Sequence, residues 1–192
     1  SRIIPMSVTD RIESFESIDQ ISPLATTYDL AYIGAFMKEF YEQVPLEIVR
    51  QNVPLAVRDI LNTVNQLEGA LEKDPKNYRL HLTAAQLLNM AIRVSGQPNE
   101  EILERALGHA TKARELSPRN QSAYWALAQV KTYQLKPEEA LTLLEEAVQL
   151  DPYVAEAHTR VINLVRLSRD PRAIQLKILE AQEYLPDFSY SF

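Results

Sequence analysis

The sequence predicts an all-α protein, an α-solenoid of antiparallel helix hairpins. Three observations carry that expectation. Pro118, Pro152 and Pro186 stand 34 residues apart, and Pro137 and Pro171 keep the same interval. Ala113, Ala147 and Ala181 follow it too. A fixed period of this length in helix-compatible sequence marks a repeated two-helix unit, which buries its apolar face only by stacking on its neighbours. The third observation is a scarcity: 4 glycines in 192 residues suit helices joined by short turns better than a strand-rich fold.

The unit from Gln121 to Pro152 shows the plan most plainly. Its first helix carries Ala123, Tyr124, Leu127, Ala128 and Val130 as one apolar stripe at helical spacing. Its second opens at Pro137, whose fixed φ and missing N–H suit a first helical position. Glu138 and Glu139 follow, where carboxylates meet the positive end of the helix dipole. Ala140, Leu143, Leu144 and Ala147 form the inner stripe, and Asp151-Pro152 stops the helix, because a residue before proline is pushed out of α geometry.

The next unit repeats this plan. A first helix from Ala155 to about Arg169 turns Ala157, Val161, Ile162 and Val165 inward. Asp170 caps a second helix that opens at Pro171, is lined by Ile174, Ile178 and Ala181, and ends before Pro186. The preceding unit is longer, since Pro75 lies 43 residues before Pro118, nine beyond the period. The surplus is expected around Arg93–Pro98, as an extra helical turn or a longer loop. Asn99 then caps a helix carrying Ile102, Leu103, Ala106, Leu107, Ala110 and Ala113.

Upstream, Pro54 to Lys73 reads as one amphipathic helix (Leu55, Ile60, Leu61, Val64, Leu67, Leu71), the second half of a further unit. Leu46 to Gln51 puts Glu47, Arg50 and Gln51 where a first-half core would be, so a helix from about Tyr28 to Gln43 is expected to pair with it instead. The expected organisation is thus an irregular arm over 1–27 with a short helix near Asp10–Ile18, a helical extension and half repeat over 28–75, three repeats over 76–186, and an aromatic tail over 187–192. In the tail Phe188, Tyr190 and Phe192 alternate with polar residues, and folding back as a cap on the last repeat is favoured over reaching a neighbouring molecule.

Composition narrows the function. Apolar residues make up 46% of the chain, above the range of disordered sequence. A net charge of −6 and a pI near 5.2 argue against nucleic acid or an anionic membrane as the main partner. Residues 1–50 hold eight acids against four bases, a solvated acidic face in the plainest reading. Cysteine is absent, which removes disulfides, thiolate metal sites and thiol nucleophiles. No apolar run reaches the roughly 20 residues that cross a bilayer. Ser1-Arg2-Ile3-Ile4-Pro5 lacks both a signal-peptide shape and an initiator methionine, as expected of a processed product or a domain cut from something longer.

Tyr124, Leu127, Ala128, Ala140, Leu144, Ala147 and Pro152 together resemble the tetratricopeptide repeat. The physical logic is close approach: small residues at Ala128, Ala140 and Ala147 let antiparallel helices draw together, while Tyr124 and Leu127 fill the gap. The likeness covers residues 78–186 as three repeats and 54–75 as half of one, and implies a right-handed solenoid. Lys131 in place of the usual core tyrosine, Ile174 in place of a small residue, and the long first repeat depart from the pattern. A fainter likeness, in the helical lead-in and the phrase AYWALAQV, is to soluble tails of bacterial O-antigen ligase-type membrane proteins. It implies a non-catalytic domain outside the cytoplasmic membrane, whereas the plain scaffold reading implies a cytoplasmic one.

In such arrays the first helices line a concave groove that binds peptides, which implies a protein or peptide partner. Facing away from the hairpin core, the middle repeat offers Ser122, Trp125, Gln129, Thr132 and Tyr133, spaced three and four apart. One repeat earlier the stripe is Arg79, Leu82, Gln86, Asn89 and Met90; one later it is Glu156, Thr159, Asn163, Arg166 and Leu167. Tyr124 and Trp125 are separated by about 100° of helix rotation, so a core-facing Tyr124 turns Trp125 to the groove. The competing reading packs Trp125 against the next repeat or under the N-terminal arm. The family's clamp for a terminal carboxylate finds Leu82, Gln86, Ala126 and Arg160 at its places, and only the arginine suits it.

Catalysis has little support. His81, His109 and His158 are far apart in sequence, and His81 and His158 share one repeat position near the hairpin core. No Glu-x-x-His pair or histidines four apart supply a helical metal site. The acidic pairs Glu100-Glu101, Glu138-Glu139 and Glu145-Glu146 sit at helix starts or on solvent faces. Neither a phosphate-binding glycine loop nor a nucleophile elbow occurs. The expectation is a binding module without enzyme activity, cofactor or metal, with self-association through the tail as a further reading.

Overall fold

The computed structural model describes residues 52–190, and within them the chain is a stack of helices without a strand. The expected arm, the helix over Tyr28–Gln43 and the end of the tail at Phe192 lie outside the described residues. Helix α1 spans Val53–Leu71. Three hairpins follow: α2 (Tyr78–Ser95) with α3 (Glu100–Leu116), α4 (Gln121–Tyr133) with α5 (Pro137–Leu150), and α6 (Ala155–Val165) with α7 (Pro171–Tyr184). Each helix packs on the next in the chain, and α2 also packs on α4, so first helices lie side by side.

Short polar side chains start the helices. Asn77, Asn99, Asn120 and Asp170 each accept a hydrogen bond from a backbone N–H of the first turn. Such caps contribute about 1 kcal/mol apiece by satisfying donors the helix leaves free. Pro137 and Pro171 open α5 and α7 at the position where a missing N–H costs nothing.

The nine-residue surplus of the first repeat is shared out rather than gathered in its turn. Helix α2 has 18 residues against 13 in α4, α3 has 17 against 14 in α5, and the turn takes the remaining one. Gly96 closes α2 in the left-handed region at φ 70°, which glycine enters without steric cost. The third repeat differs from expectation in the other direction. Helix α6 ends at Val165, a 3₁₀ turn covers Arg166–Ser168, and Arg169 stands at φ 57°. The helix therefore stops a turn before the predicted limit near Arg169.

One hydrogen bond recurs at one repeat position. His81, Tyr124 and His158, each six residues after an inter-repeat proline, bond the carbonyl oxygens of Pro75, Pro118 and Pro152 at 3.1, 2.9 and 2.8 Å. Imidazole and phenol both present a donor at the end of a flat ring, so either clasps the loop to the helix that follows. This gives the two equivalent histidines a structural task.

Alanines let the hairpins close. Ala106, Ala110, Ala113, Ala140, Ala147 and Ala181 on the second helices, with Ala84, Ala123 and Ala157 on the first, are all fully buried. Larger residues fill the spaces between, in three consecutive cores. Ile60, Val64, Leu67, Leu80, Leu87 and Leu88 build the first, Leu127, Leu143, Leu144 and Val161 the second, and Ile162, Ile174 and Phe188 the third. Ile174 is thus a core residue, although the repeat pattern prefers a smaller one. Lys131, the other departure, keeps its charge at the core's edge by pairing with Glu139 at 2.7 Å.

After α7 the chain folds back. Phe188 is buried against Ile162, Ile174 and Ala181, its carbonyl accepts from Gln182 at 3.1 Å, and the Tyr190 hydroxyl donates to Asn163 at 2.7 Å. The described part of the tail is a cap on the last hairpin.

Candidate functional site: a trough along the first helices

The inner wall of the stack is made by α2, α4 and α6, and it holds two adjoining hollows. The first, about 390 Å³, is walled by Gln86, Met90 and Arg93 of α2, by Ser122, Trp125, Ala126 and Gln129 of α4, and by Glu156 and Arg160 of α6. The second, about 290 Å³, has a more apolar wall in which Ala128, Tyr133, Leu144, Leu164 and Leu167 meet Thr132 and Asn163. Trp125, Gln129 and Arg160 belong to both. They form a ridge dividing a polar, arginine-bearing end from an apolar end.

The ridge is rigid for stated reasons. The Arg160 guanidinium lies 4.5 Å from the Trp125 ring centroid, an attraction between cation and ring face of about 0.5–1 kcal/mol at a partly exposed site. Its Nε and Nη2 both donate to Glu156, at 3.1 and 2.6 Å, across one helical turn. Gln129 donates to the Tyr133 hydroxyl at 3.1 Å, and that hydroxyl donates to the Asn89 carbonyl at 3.4 Å, tying α4 to α2. Burial raises the Tyr133 phenol above its ordinary pKa, with the Gln129 hydrogen bond and the Arg93 charge offsetting only part of that. Tyr133 therefore stays a neutral donor.

Of the predicted groove residues, Gln86, Ser122, Trp125, Gln129, Tyr133 and Asn163 stand in these walls. Asn89 does not. It is 1% exposed, and its Nδ2 donates to the Ala126 carbonyl at 2.9 Å. The reason is the side-by-side packing of α2 on α4, which covers the flank that carries Asn89. Leu82 lies against the second core beside Leu127, and Arg79, Thr159 and Arg166 are outside both walls. Arg166 stands in the 3₁₀ turn that follows the early end of α6, where Leu167 rather than Arg166 lines the hollow. Arg93 and Leu164 were absent from the predicted stripes, and Arg160 entered only as one piece of an unmatched clamp. The i,i+4 spacing of Glu156 and Arg160 was the available signal for a held guanidinium.

Behind the first hairpin lies a polar relay. His81 donates from Nε2 to Pro75, its Nδ1 faces His109 Nδ1 at 3.0 Å, and His109 Nε2 reaches Glu68 at 3.0 Å. Arg105 holds the same carboxylate with two bonds, at 3.1 and 2.8 Å. Burial works against the Glu68 charge, but the bonds from Arg105 and His109 prevail and its pKa falls below the ordinary 4.5. Burial lowers the His81 pKa below 6.5; the Pro75 bond opposes this, while the charges of His109 and Lys112 reinforce it. Unfolded chains thus protonate both groups more readily than folded ones. The stability carried by neutral His81 is present above pH 6.5 and lost as pH falls through its lower folded value, with Glu68 following at lower pH still. The melting temperature is expected to drop between pH 7.5 and about 5.5. The drop should shrink in His81→Tyr, which keeps a donor for the Pro75 carbonyl, as Tyr124 does for Pro118. Equal drops in both proteins would rule this account out.

Among the described residues no group of three or more metal-ligating side chains converges, and no helix is long and apolar enough to cross a membrane. The fold agrees with solved tetratricopeptide-repeat structures. A thermophilic TPR protein of Thermus thermophilus superposes with a TM-score of 0.62 at 14% identity, covering 93% of this chain and 84% of that one. MamA of Desulfovibrio magneticus RS-1 gives 0.56 at 15%, covering 94% and 98%. An O-GlcNAc transferase of Thermobaculum terrenum gives 0.53 at 20%, and there the match covers 72% of this chain and 26% of that one. At these identities the likeness establishes the fold, a TPR-type α-solenoid. No family model and no curated protein matches the chain, and none of these structural neighbours is an O-antigen ligase-type membrane protein.

Proposed function

We propose that the chain is a non-catalytic scaffold that binds a protein partner by taking an extended peptide segment into the trough of α2, α4 and α6. The observation that carries this reading is the ridge of Trp125 and Arg160 between a polar and an apolar hollow. A partly exposed tryptophan, a tyrosine and an arginine held by their own neighbours are the side chains that dominate recognition surfaces, because they offer large contact areas at little cost in ordering. The amides of Gln86 and Gln129 can pair with peptide backbone, and Ala128, Leu144 and Leu164 offer an apolar seat. The partner's identity would then lie in which side chains reach each hollow.

Selection of a random peptide display library on the full chain tests this. Peptides that bind should lose at least about 30-fold in affinity to Trp125→Ala, the effect of a hot spot of about 2 kcal/mol. Tyr133→Ala should compound the loss. Selected peptides that bind the double variant as tightly as wild type would refute the trough as the site.

A further inference from the structure

The trough is bipolar, and one stretch of the same chain is bipolar in the matching sense. Residues 10–21 read Asp-Arg-Ile-Glu-Ser-Phe-Glu-Ser-Ile-Asp-Gln-Ile. Three times at intervals of three an apolar residue is followed directly by an acid: Ile12-Glu13, Phe15-Glu16 and Ile18-Asp19. One hollow is apolar around Leu144, Leu164 and Leu167; the other carries the Arg160 guanidinium, with Glu156 the one acid among its described lining residues. The Arg160 bonds to Glu156 use Nε and Nη2, so Nη1 has no hydrogen bond among the described residues. A second carboxylate can be taken there without displacing the first, since a guanidinium offers five donors in a fixed fork.

We infer that the acidic and apolar segment Asp10–Ile21 occupies the trough of its own chain, so that an outside peptide must displace it. This rests on the trough being a peptide site. Phe15 or Ile18 fills the apolar hollow, and the neighbouring Glu16 or Asp19 meets Arg160 across the Trp125 ridge. Reach is no obstacle. Even with the expected helix over 28–43, the residues from Ile21 to Asn52 span up to about 70 Å, and the trough begins at α2, which packs directly on α1 at an interaxial distance of about 8–10 Å. A tethered segment acts at an effective concentration in the millimolar range, so a weak contact suffices to keep the trough covered.

Trp125 is the chain's only tryptophan, so its fluorescence reports the ridge alone. Acrylamide, an uncharged quencher, is applied to the full-length wild type, to the charge-reversed variant Glu13→Lys/Glu16→Lys/Asp19→Lys, and to Phe15→Ala/Ile18→Ala. Both variants are expected to raise the quenching constant about twofold or more. Both should also bind the library-selected peptides about tenfold more tightly than wild type, because competition within the chain divides the apparent affinity. Equal quenching in all three proteins overturns the inference. So does shielding that grows with protein concentration, which assigns the occupant to a second copy. If the selected peptides bind wild type and variants equally well, the trough is a peptide site left uncovered. If none binds at Trp125 in any of them, the functional reading itself fails.

Discussion

Replacing Leu88 by alanine is expected to lower the unfolding free energy by about 2–5 kcal/mol, with a fall in melting temperature on the order of 10 °C. Leu88 is fully buried in the first core, among Ile60, Val64, Leu67, Leu80 and Leu87. Alanine there removes the transfer energy of the side chain and leaves a void that only a shift of whole helices could close. Such a shift is hindered, because α2 is held on three sides, by α1, α3 and α4. The companion change Leu135→Ala is the control. Leu135 is 87% exposed in the turn between α4 and α5, so truncating it should move stability by no more than about 0.5 kcal/mol. Urea unfolding followed by circular dichroism measures both. A Leu88→Ala loss below about 1 kcal/mol would show that the first core is not close-packed.

The contrast between these two leucines also shows how much could be read from the sequence alone. Pro137, Pro171 and the alanines at Ala113, Ala147 and Ala181 announce the hairpins, because proline and small residues act through local geometry, and local geometry is written in local sequence. Rotation alone places Trp125 off the face that Tyr124 takes, but not its double contact: it lines both hollows and also packs against the second core. The division of the nine extra residues between α2 and α3 could not be read, because either helix end can absorb residues of similar propensity and the period fixes only their sum. The early end of α6 was hidden for a similar reason: Arg166, Leu167 and Arg169 are good helix formers, and the 3₁₀ turn overrides that preference. Asn89 and Arg160 were misplaced or undervalued for a different cause. Their roles arise between repeats, where α2 meets α4 and α4 meets α6, and a stripe drawn on a single helix carries no account of what the next helix covers.

Coupling between repeats decides the second large effect. Phe188→Ala is expected to cost about 3–5 kcal/mol, and to cost it locally. Among the described residues of the tail, Phe188 is the one buried in the third core, where it covers Ile162, Ile174 and Ala181. Each interior hairpin is covered on both sides by its neighbours, but among the described residues the last is covered on its outer side by this tail. In a linear array the unfolding of a terminal unit breaks one interface instead of two, so lost end-cap energy appears as fraying of that unit before the rest responds. Amide hydrogen exchange should therefore speed up in α6 and α7 while α2 and α3 keep their protection. One link from α7 back to α5 is the Lys177 ammonium, which bonds Glu145 of α5 and Glu180 of its own helix, each at 2.8 Å. Burial alone would lower the Lys177 pKa, but those two carboxylates raise it, so the ammonium stays charged at neutral pH and its bond to Glu145 is lost only as α7 itself frays. Fraying of α6 also withdraws Arg160 from Trp125. Phe188→Ala should consequently weaken peptide binding and raise acrylamide quenching of Trp125, although Phe188 stands in neither hollow. Uniform acceleration of exchange along the whole chain would show instead that the hairpins unfold as one unit and that the tail serves them all.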